Sequence, residues 1–267
     1  MGDRKPWSPT SASWLRSRPV WHAEFRDPRL VEVYDAECAW GRDDDYFTAV
    51  GGSTPARVLD LGCGTGRLTL GLSRAGHAVT GVDPARASLE AARRKPGAHR
   101  VTWIEATSAR LPAHAFEVAL MTSHVAQLFV DDDEWARTLA DLAGALVLGG
   151  RLAFDARDPD AHAWERWNPV DSRRSVTLPD GGVVDAWTEV TAVEAHRVVS
   201  FTHHYTLPGG EELASQATLR FRSERELRAS LHDAGFAVEH IYGGWERQPV
   251  CHPDGELLVI ARSLSGG

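Results

Sequence analysis

Residues 57–83 constrain the fold more than any other stretch of the chain. Arg57-Val58-Leu59-Asp60-Leu61 is a short, mostly apolar run bounded by turn residues, which predicts a buried strand. Gly62-Cys63-Gly64-Thr65-Gly66 follows at once, and three glycines in five residues suit a tight turn. Leu68, Leu70, Leu72 and Ala75 then mark the buried side of a short helix, with Gly76 placed to cap it. Ala78-Val79-Thr80-Gly81-Val82 reads as a second strand, and it ends on Asp83. The expected unit is strand, helix, strand. Glycines in its first turn let a ligand approach the backbone, and the later carboxylate can hold ribose hydroxyls.

The same alternation continues. A helix is expected from Pro84, as its first residue, to about Arg94, ended by Pro96-Gly97. Strands are expected at 101–104, 116–121 and 152–154. Between the last two, Asp131 and Glu134 form a capping box for a helix over 132–146, terminated by Gly149-Gly150. Then the rhythm changes to strand-like runs at 174–178, 183–193, 198–207 and 213–221. Asp180-Gly181-Gly182 and Pro208-Gly209-Gly210 separate them as hairpin turns. Ser223 and Glu226 start another helix, and strands at 236–242 and 256–261 complete the sheet. The fold class expected is α/β: a Rossmann-like, seven-stranded, mostly parallel sheet with helices on both faces. An antiparallel β meander is inserted after its fifth strand. Residues 27–267 form this domain, with 170–222 as an inserted lid. Residues 1–26, with three prolines and three tryptophans but no clean period, are expected to be a loose N-terminal extension. A helix is expected from Asp27, broken at Gly41-Arg42-Asp43-Asp44-Asp45 and resumed at Tyr46.

Composition narrows the partners. A net charge of −8 disfavours non-specific binding to nucleic acid or an anionic membrane. No stretch approaches the ~18 apolar residues of a membrane span. Cys38, Cys63 and Cys251 form no CxxC pair, which argues against a disulfide framework or a zinc site and suits a reducing cytoplasm. His203 and His204 sit on one expected strand and point to opposite faces, so they cannot share a metal; Cys251-His252 has no partner pair nearby. No metal site is expected, and a monomer or homodimer suits the chain equally.

The glycine spacing decides the cofactor class. The dinucleotide fingerprint requires G-x-G-x-x-G, whereas this turn is G-x-G-x-G and Arg67 fills the final glycine's place. The run from Val58 to Gly66 instead resembles motif I of class I S-adenosylmethionine (SAM) dependent methyltransferases, and the resemblance extends through Asp83. It implies a small-molecule acceptor methylated on oxygen or nitrogen. The alternatives are an NAD(P)-dependent reductase and a SAM-binding protein without catalysis. The resemblance further implies cofactor contacts from Tyr34, Asp60, Gly62, Cys63, Gly64, Asp83, Pro84, Thr107, Ser108 and Met121. Asp83 takes the ribose position. Thr107-Ser108 takes the adenine position, where Thr107 departs from the family's acid and forgoes a charge-assisted bond. Met121 is expected to wall the methyl-transfer pocket. Tyr34 offers an aromatic face to the sulfonium, or simply packs its helix on the sheet. His124, after the fourth strand, is the candidate general base, with a loop anchor as the structural alternative. Arg157, Trp164 and Trp167 follow the fifth strand at the sheet's carboxyl edge and are the candidates for acceptor contacts.

Overall fold

The computed structural model describes residues 20–264. Its centre is a seven-stranded sheet in the order β11-β12-β6-β5-β2-β3-β4. Here β2 is Arg57–Leu61, β3 Ala78–Asp83, β4 Thr102–Glu105, β5 Phe116–Met121 and β6 Leu146–Arg157. Strands β11 (Phe236–Tyr242) and β12 (Glu256–Ser263) close one side. The pairs from β6 to β4 are parallel, while β12 runs antiparallel to both β6 and β11. Chain order reverses beside β2, the arrangement that leaves a ligand crevice at the carboxyl ends of the strands.

Strand periodicity sorts the apolar residues onto two faces. Leu59, Phe154, Leu257 and Val259 meet α6 (Asp132–Ala145) and α7 (Glu224–Asp233) through Trp135, Leu139, Leu142, Leu227 and Leu231. Their alternates Val58, Leu120, Leu258 and Ile260 meet α3 (Arg42–Gly51) and α4 (Arg67–Arg74) through Phe47, Leu68 and Leu72. A side chain such as Phe47, with no exposed surface, contributes about 2 kcal/mol by leaving water. Both faces of the sheet are covered.

The insertion is an antiparallel run, β7 (Arg174–Thr177), β8 (Val183–Glu194), β9 (Val198–Thr206) and β10 (Glu212–Arg220). Its inner face packs on two sides. Val176, Val184, Ala186 and Tyr205 meet Leu30 and Val33 of α2 (Pro28–Glu37), and Phe201, Leu219 and Phe221 meet Leu128, Trp164 and Trp167.

Four local expectations are corrected. The end of the extension is not loose over its described residues: β1 (Val20–Trp21) pairs parallel with β10, and α1 (Ala23–Arg26) follows. Residues 1–19 lie outside the described residues. Arg42 to Asp45 do not break a helix; they are the first turn of α3, since Asp44 accepts from the Gly41 amide at 2.8 Å. Helix α5 (Arg86–Arg94) starts two residues after Pro84, because the Asp83 carboxylate captures the Ala85 amide and holds that residue extended. Helix α6 ends at Ala145 with Leu146 as its cap, and Gly149-Gly150 take no part in ending it. Gly149, with φ +74°, lies inside β6, where pairing jumps from Phe116 opposite Leu146 to Val118 opposite Arg151.

Candidate active site

The turn after β2 shows why three glycines are required. Gly62, Gly64 and Gly66 all have positive φ, at 77°, 51° and 79°. A Cβ on Gly62 would stand 2.6 Å from a methyl of Val125, and one on Gly66 would stand 2.5 Å from the Trp103 ring. A Cβ on Gly64 would meet nothing within 4 Å. Two of the glycines are therefore packed, and the middle one faces open space. Asp83 fastens the turn: its carboxylate accepts from the Gly64 amide at 2.8 Å and the Ala85 amide at 2.7 Å. Burial pushes this carboxyl up, and the two amides draw it back toward the ionised form. Beneath the turn, Asp60 accepts from Thr69 Oγ1 at 2.5 Å, while its Oδ1 is buried without a partner among the described residues. Burial raises the Asp60 pKa to about 6.

The helices preceding β2 are latched onto this turn. Asp35 accepts from Thr65 Oγ1 at 2.6 Å and also from Lys95, whose ammonium donates to the Thr65 carbonyl at 2.8 Å. Arg67 donates to Asp43 and to the Ala39 carbonyl, at 2.8 and 2.7 Å, and pairs with the buried Asp44. The residue that replaces the fingerprint's last glycine is thus the bolt joining α3 to α4. Tyr34 is half-buried at the same place: it lies in the fields of Cys38, Arg67 and Asp83 and packs edge-on to Phe25 at 5.6 Å.

A second constellation gathers at the ends of β5 and β6. Ser123 and His124 both adopt left-handed backbone, with φ of 57° and 63°, in a tight turn. The His124 amide donates to Asp155 Oδ2 at 3.0 Å, and His124 Nε2 lies 3.0 Å from Glu256 Oε2 and 3.3 Å from Asp155 Oδ2. Gln127 Oε1 accepts from Arg157 Nη1 at 3.0 Å, and the Gln127 Nε2 is buried without a partner among the described residues. Burial dominates the protonation of the group. It pushes Glu256 up to about 7 and Asp155 up to about 6, and it pulls His124 down to about 4. One proton must lie between His124 and Glu256 for their contact to be a hydrogen bond, so the cluster shares protons near neutral pH. The three side chains present metal-type donors within 4.8 Å of one another. The positive charge there is already supplied by Arg157, whose guanidinium acts on both carboxylates.

The remaining expected residues divide. Met121 is not a pocket wall: it has no exposed surface and packs in the core with Leu59, Val82 and Phe154. Cys63 turns its thiol into the sheet, 3.0 Å from the place of a Gly81 Cβ, so only its backbone faces the turn. Thr107 is exposed, Ser108 donates its hydroxyl to Asp141 at 2.6 Å, and Pro84 is exposed beside Asp83. Trp164 and Trp167 pack edge-on against Phe221 and Phe201, at 4.6 and 4.8 Å, and Arg157 lies 5.5 Å from the Trp167 ring centre. His203 and His204 do point to opposite faces: one bonds Thr188 and the other stacks on Trp187. Sequence reasoning missed Asp155, Gln127 and Glu256. An acid inside the apolar run Leu152-Ala153-Phe154-Asp155-Ala156 was the signal for the first; nothing local marks Glu256.

Comparison with known proteins agrees with this geometry. Residues 58–150 match the family described as a methyltransferase domain. The cypemycin N-terminal methyltransferase of a Streptomyces species is 30% identical over 207 residues, covering 76% of this chain and 81% of that protein. The chain belongs to the class I SAM-dependent methyltransferases. The CcbJ methyltransferase of Streptomyces caelestis shares the fold with a TM-score of 0.71 at 18% identity, over 92% of this chain and 99% of its own. So does the sugar N-methyltransferase KedS8 from a Streptoalloteichus species, with a TM-score of 0.68 at 18% identity over 99% and 100% of the two chains. None of these supports the reductase alternative. SAM is the methyltransferase's cofactor, and the residues present fit it: open space over Gly64, the Asp83 carboxylate fastened to the Gly64 amide, and a spare buried acceptor on Asp60.

Proposed function

We propose that this methyltransferase alkylates the nitrogen of a small-molecule amine, with His124 and Glu256 taking up the proton. The supporting observation is the buried cluster of His124, Asp155 and Glu256, which carries two carboxylates against one guanidinium. Such a lining attracts an ammonium and repels a carboxylate or phenolate acceptor. The name of the cypemycin relative also places its chemistry at an N-terminus.

Bound SAM supplies an electrophilic methyl group on sulfur, and no covalent enzyme intermediate is needed. The chain's own residues must hold the acceptor in line, exclude water and remove a proton, because only the neutral amine has a free electron pair. His124 takes up that proton at Nδ1 and passes the one on Nε2 to Glu256, 3.0 Å away. Asp155 orients the histidine through its backbone amide. Gln127 and Arg157 fix the acidic group's charge from behind. Cofactor contacts come from Gly62, Gly64, Asp83 and Asp60, with Tyr34 over the turn and the backbone of 107–108 at the adenine end. The inserted strands and α1 cover the acceptor as a lid, and the free cysteines support a reducing cytoplasm.

The test is a panel of primary amines, phenols and carboxylic acids, followed by S-adenosylhomocysteine release and by mass spectrometry of the product. Methylation at nitrogen is expected, with a drop of about 100-fold in kcat for His124→Ala. Methyl transfer to oxygen, or a His124→Ala rate intact from about pH 6 to about pH 9, would sink the assignment.

A further inference from the structure

The inner face of the inserted sheet carries an interruption that folding alone does not call for. On either side of it the face is apolar, with Val184, Ala186 and Tyr205 toward α2 and Phe201 and Leu219 toward Trp164 and Trp167. Between them runs a row of polar residues in cross-strand register, Thr188 opposite His203 opposite Ser215. Thr188 Oγ1 bonds His203 Nδ1 at 2.8 Å, and Ser215 donates to the carboxylate of Glu24 on α1. Thr188 and Glu24 are each only 5% exposed, and Ser215 is fully buried. A buried polar row costs stability unless its groups are bonded or hydrated. Two groups on this face, His203 Nε2 and the Tyr205 hydroxyl, take no hydrogen bond from the described residues and are not sealed from solvent, although Tyr205 is only 6% exposed.

Ring contacts tie these two groups to the buried acid cluster: Tyr205 lies 6.2 Å from His203, His203 4.9 Å from Phe201, and Phe201 4.8 Å from Trp167, which sits under Arg157. The Tyr205 hydroxyl lies in the fields of Glu24, Glu37, Arg174 and Cys38. Cys38 also acts on Tyr34, which in turn lies in the fields of Arg67 and Asp83. Tyr205 and Tyr34 therefore share Cys38 as an electrostatic neighbour, one on the lid and the other beside the turn. The charge around Tyr205 is informative. Arg174 is held by Glu37, so it is not available to an anion, and Glu24 adds a carboxylate. Burial keeps His203 neutral and Tyr205 protonated.

We infer that Tyr205 and His203 form an acceptor-recognition subsite for an uncharged hydroxyl or amide group carried by the amine substrate. The inference rests on the amine reading and adds to it a class: a neutral, hydrogen-bonding amine, not a hydrocarbon amine and not a phosphorylated one. A site that leaves a donor and an acceptor unpaired discriminates against any substrate that cannot satisfy them.

The test uses four amines as probes: glucosamine as the hydroxyl arm, a dipeptide amide as the amide arm, cyclohexylamine as the apolar control and phosphorylated glucosamine as the anionic one. At least one neutral polar probe should exceed both controls about tenfold in kcat/KM. Tyr205→Phe, which keeps the ring, and His203→Leu should each bring that ratio close to one by raising KM while kcat holds. His203→Gln, which keeps a donor, should retain most of the preference. The SAM dissociation constant, read by calorimetry, should not move in any variant, and thermal melts check that each is folded. Cyclohexylamine or the phosphorylated probe used as well as the polar ones overturns the subsite, as does a preference that survives both variants or a failure to turn over either polar probe. Methylation at oxygen with the preference intact would instead overturn the amine reading and leave the subsite standing.

Discussion

The two halves of the crevice are built from different material. At the carboxyl ends of β2 and β3 the backbone does the work: three glycines at positive φ, two amides bound by one carboxylate, and a space kept open where Gly64 lacks a Cβ. At the ends of β5 and β6 the work falls to side chains, with an imidazole, two carboxylates, a guanidinium and an amide brought together under burial. Backbone geometry tolerates few sequences, and so the cofactor half is specified tightly. Side-chain constellations can be rebuilt around any acceptor, and so the half at β5 and β6 is less constrained in sequence.

If backbone shape rules the cofactor half, the glycines should differ by what surrounds them. Gly62→Ala strains a left-handed residue and drives a Cβ against Val125, at an expected cost of about 3 kcal/mol in folding stability. Gly64→Ala meets no atom and should cost only about 1 kcal/mol, yet it intrudes on the cofactor's space and should weaken SAM binding more than it weakens the fold. Denaturant melts with and without SAM separate the two. Equal losses of stability would mean that the turn is held by something other than its packing.

A crossed pair of substitutions tests the division itself. Asp83→Ala should weaken SAM about thirtyfold by calorimetry, the loss of a charged hydrogen-bonding partner, with the remaining defect in KM for the cofactor. Glu256→Gln should leave SAM affinity unchanged and lower the rate. In the wild type, kcat/KM should rise with pH through about 7 as Glu256 loses its proton, and this limb should vanish in the variant. Stability moves the other way. Because burial raises the folded-state pKa of Glu256, its protonation stabilises the fold fully below the ordinary carboxyl range, and that contribution is lost as pH rises through about 7. Relative to Glu256→Gln, wild-type melting temperature should therefore fall from about pH 5 to about pH 8. A rate profile that keeps its limb in the variant would move the proton acceptor away from Glu256.

What was legible in the sequence follows the same division. Glycine spacing, the acid at Asp83 and the period-two strands are local patterns, and they carried both the fold and the cofactor. The hairpin turns at Asp180 and Pro208 likewise disclosed the insertion. Contacts made over long separations were not legible: His124 and Glu256 are 132 residues apart, and only the antiparallel return of β12 beside β6 sets Glu256 opposite Arg157. Met121 was misread for a related reason. A strand-end position indicates proximity to the crevice, but pleat parity turns that side chain into the core.

The adenine end offers the smallest effect and the sharpest contrast with Asp83. Thr107 stands exposed at the start of the turn after β4, while Ser108 beside it is already committed to Asp141. A hydroxyl there accepts only a neutral hydrogen bond, whereas a carboxylate would accept the same proton with charge assistance. Thr107→Asp should thus tighten SAM by about fivefold, close to 1 kcal/mol, without changing kcat. The position is exposed, so the new charge carries little folding penalty. Calorimetric titration of SAM into both proteins decides it. Unchanged or weaker binding would place the adenine elsewhere along this edge, and would leave the ribose contact at Asp83 as the one side-chain anchor on that side of the turn.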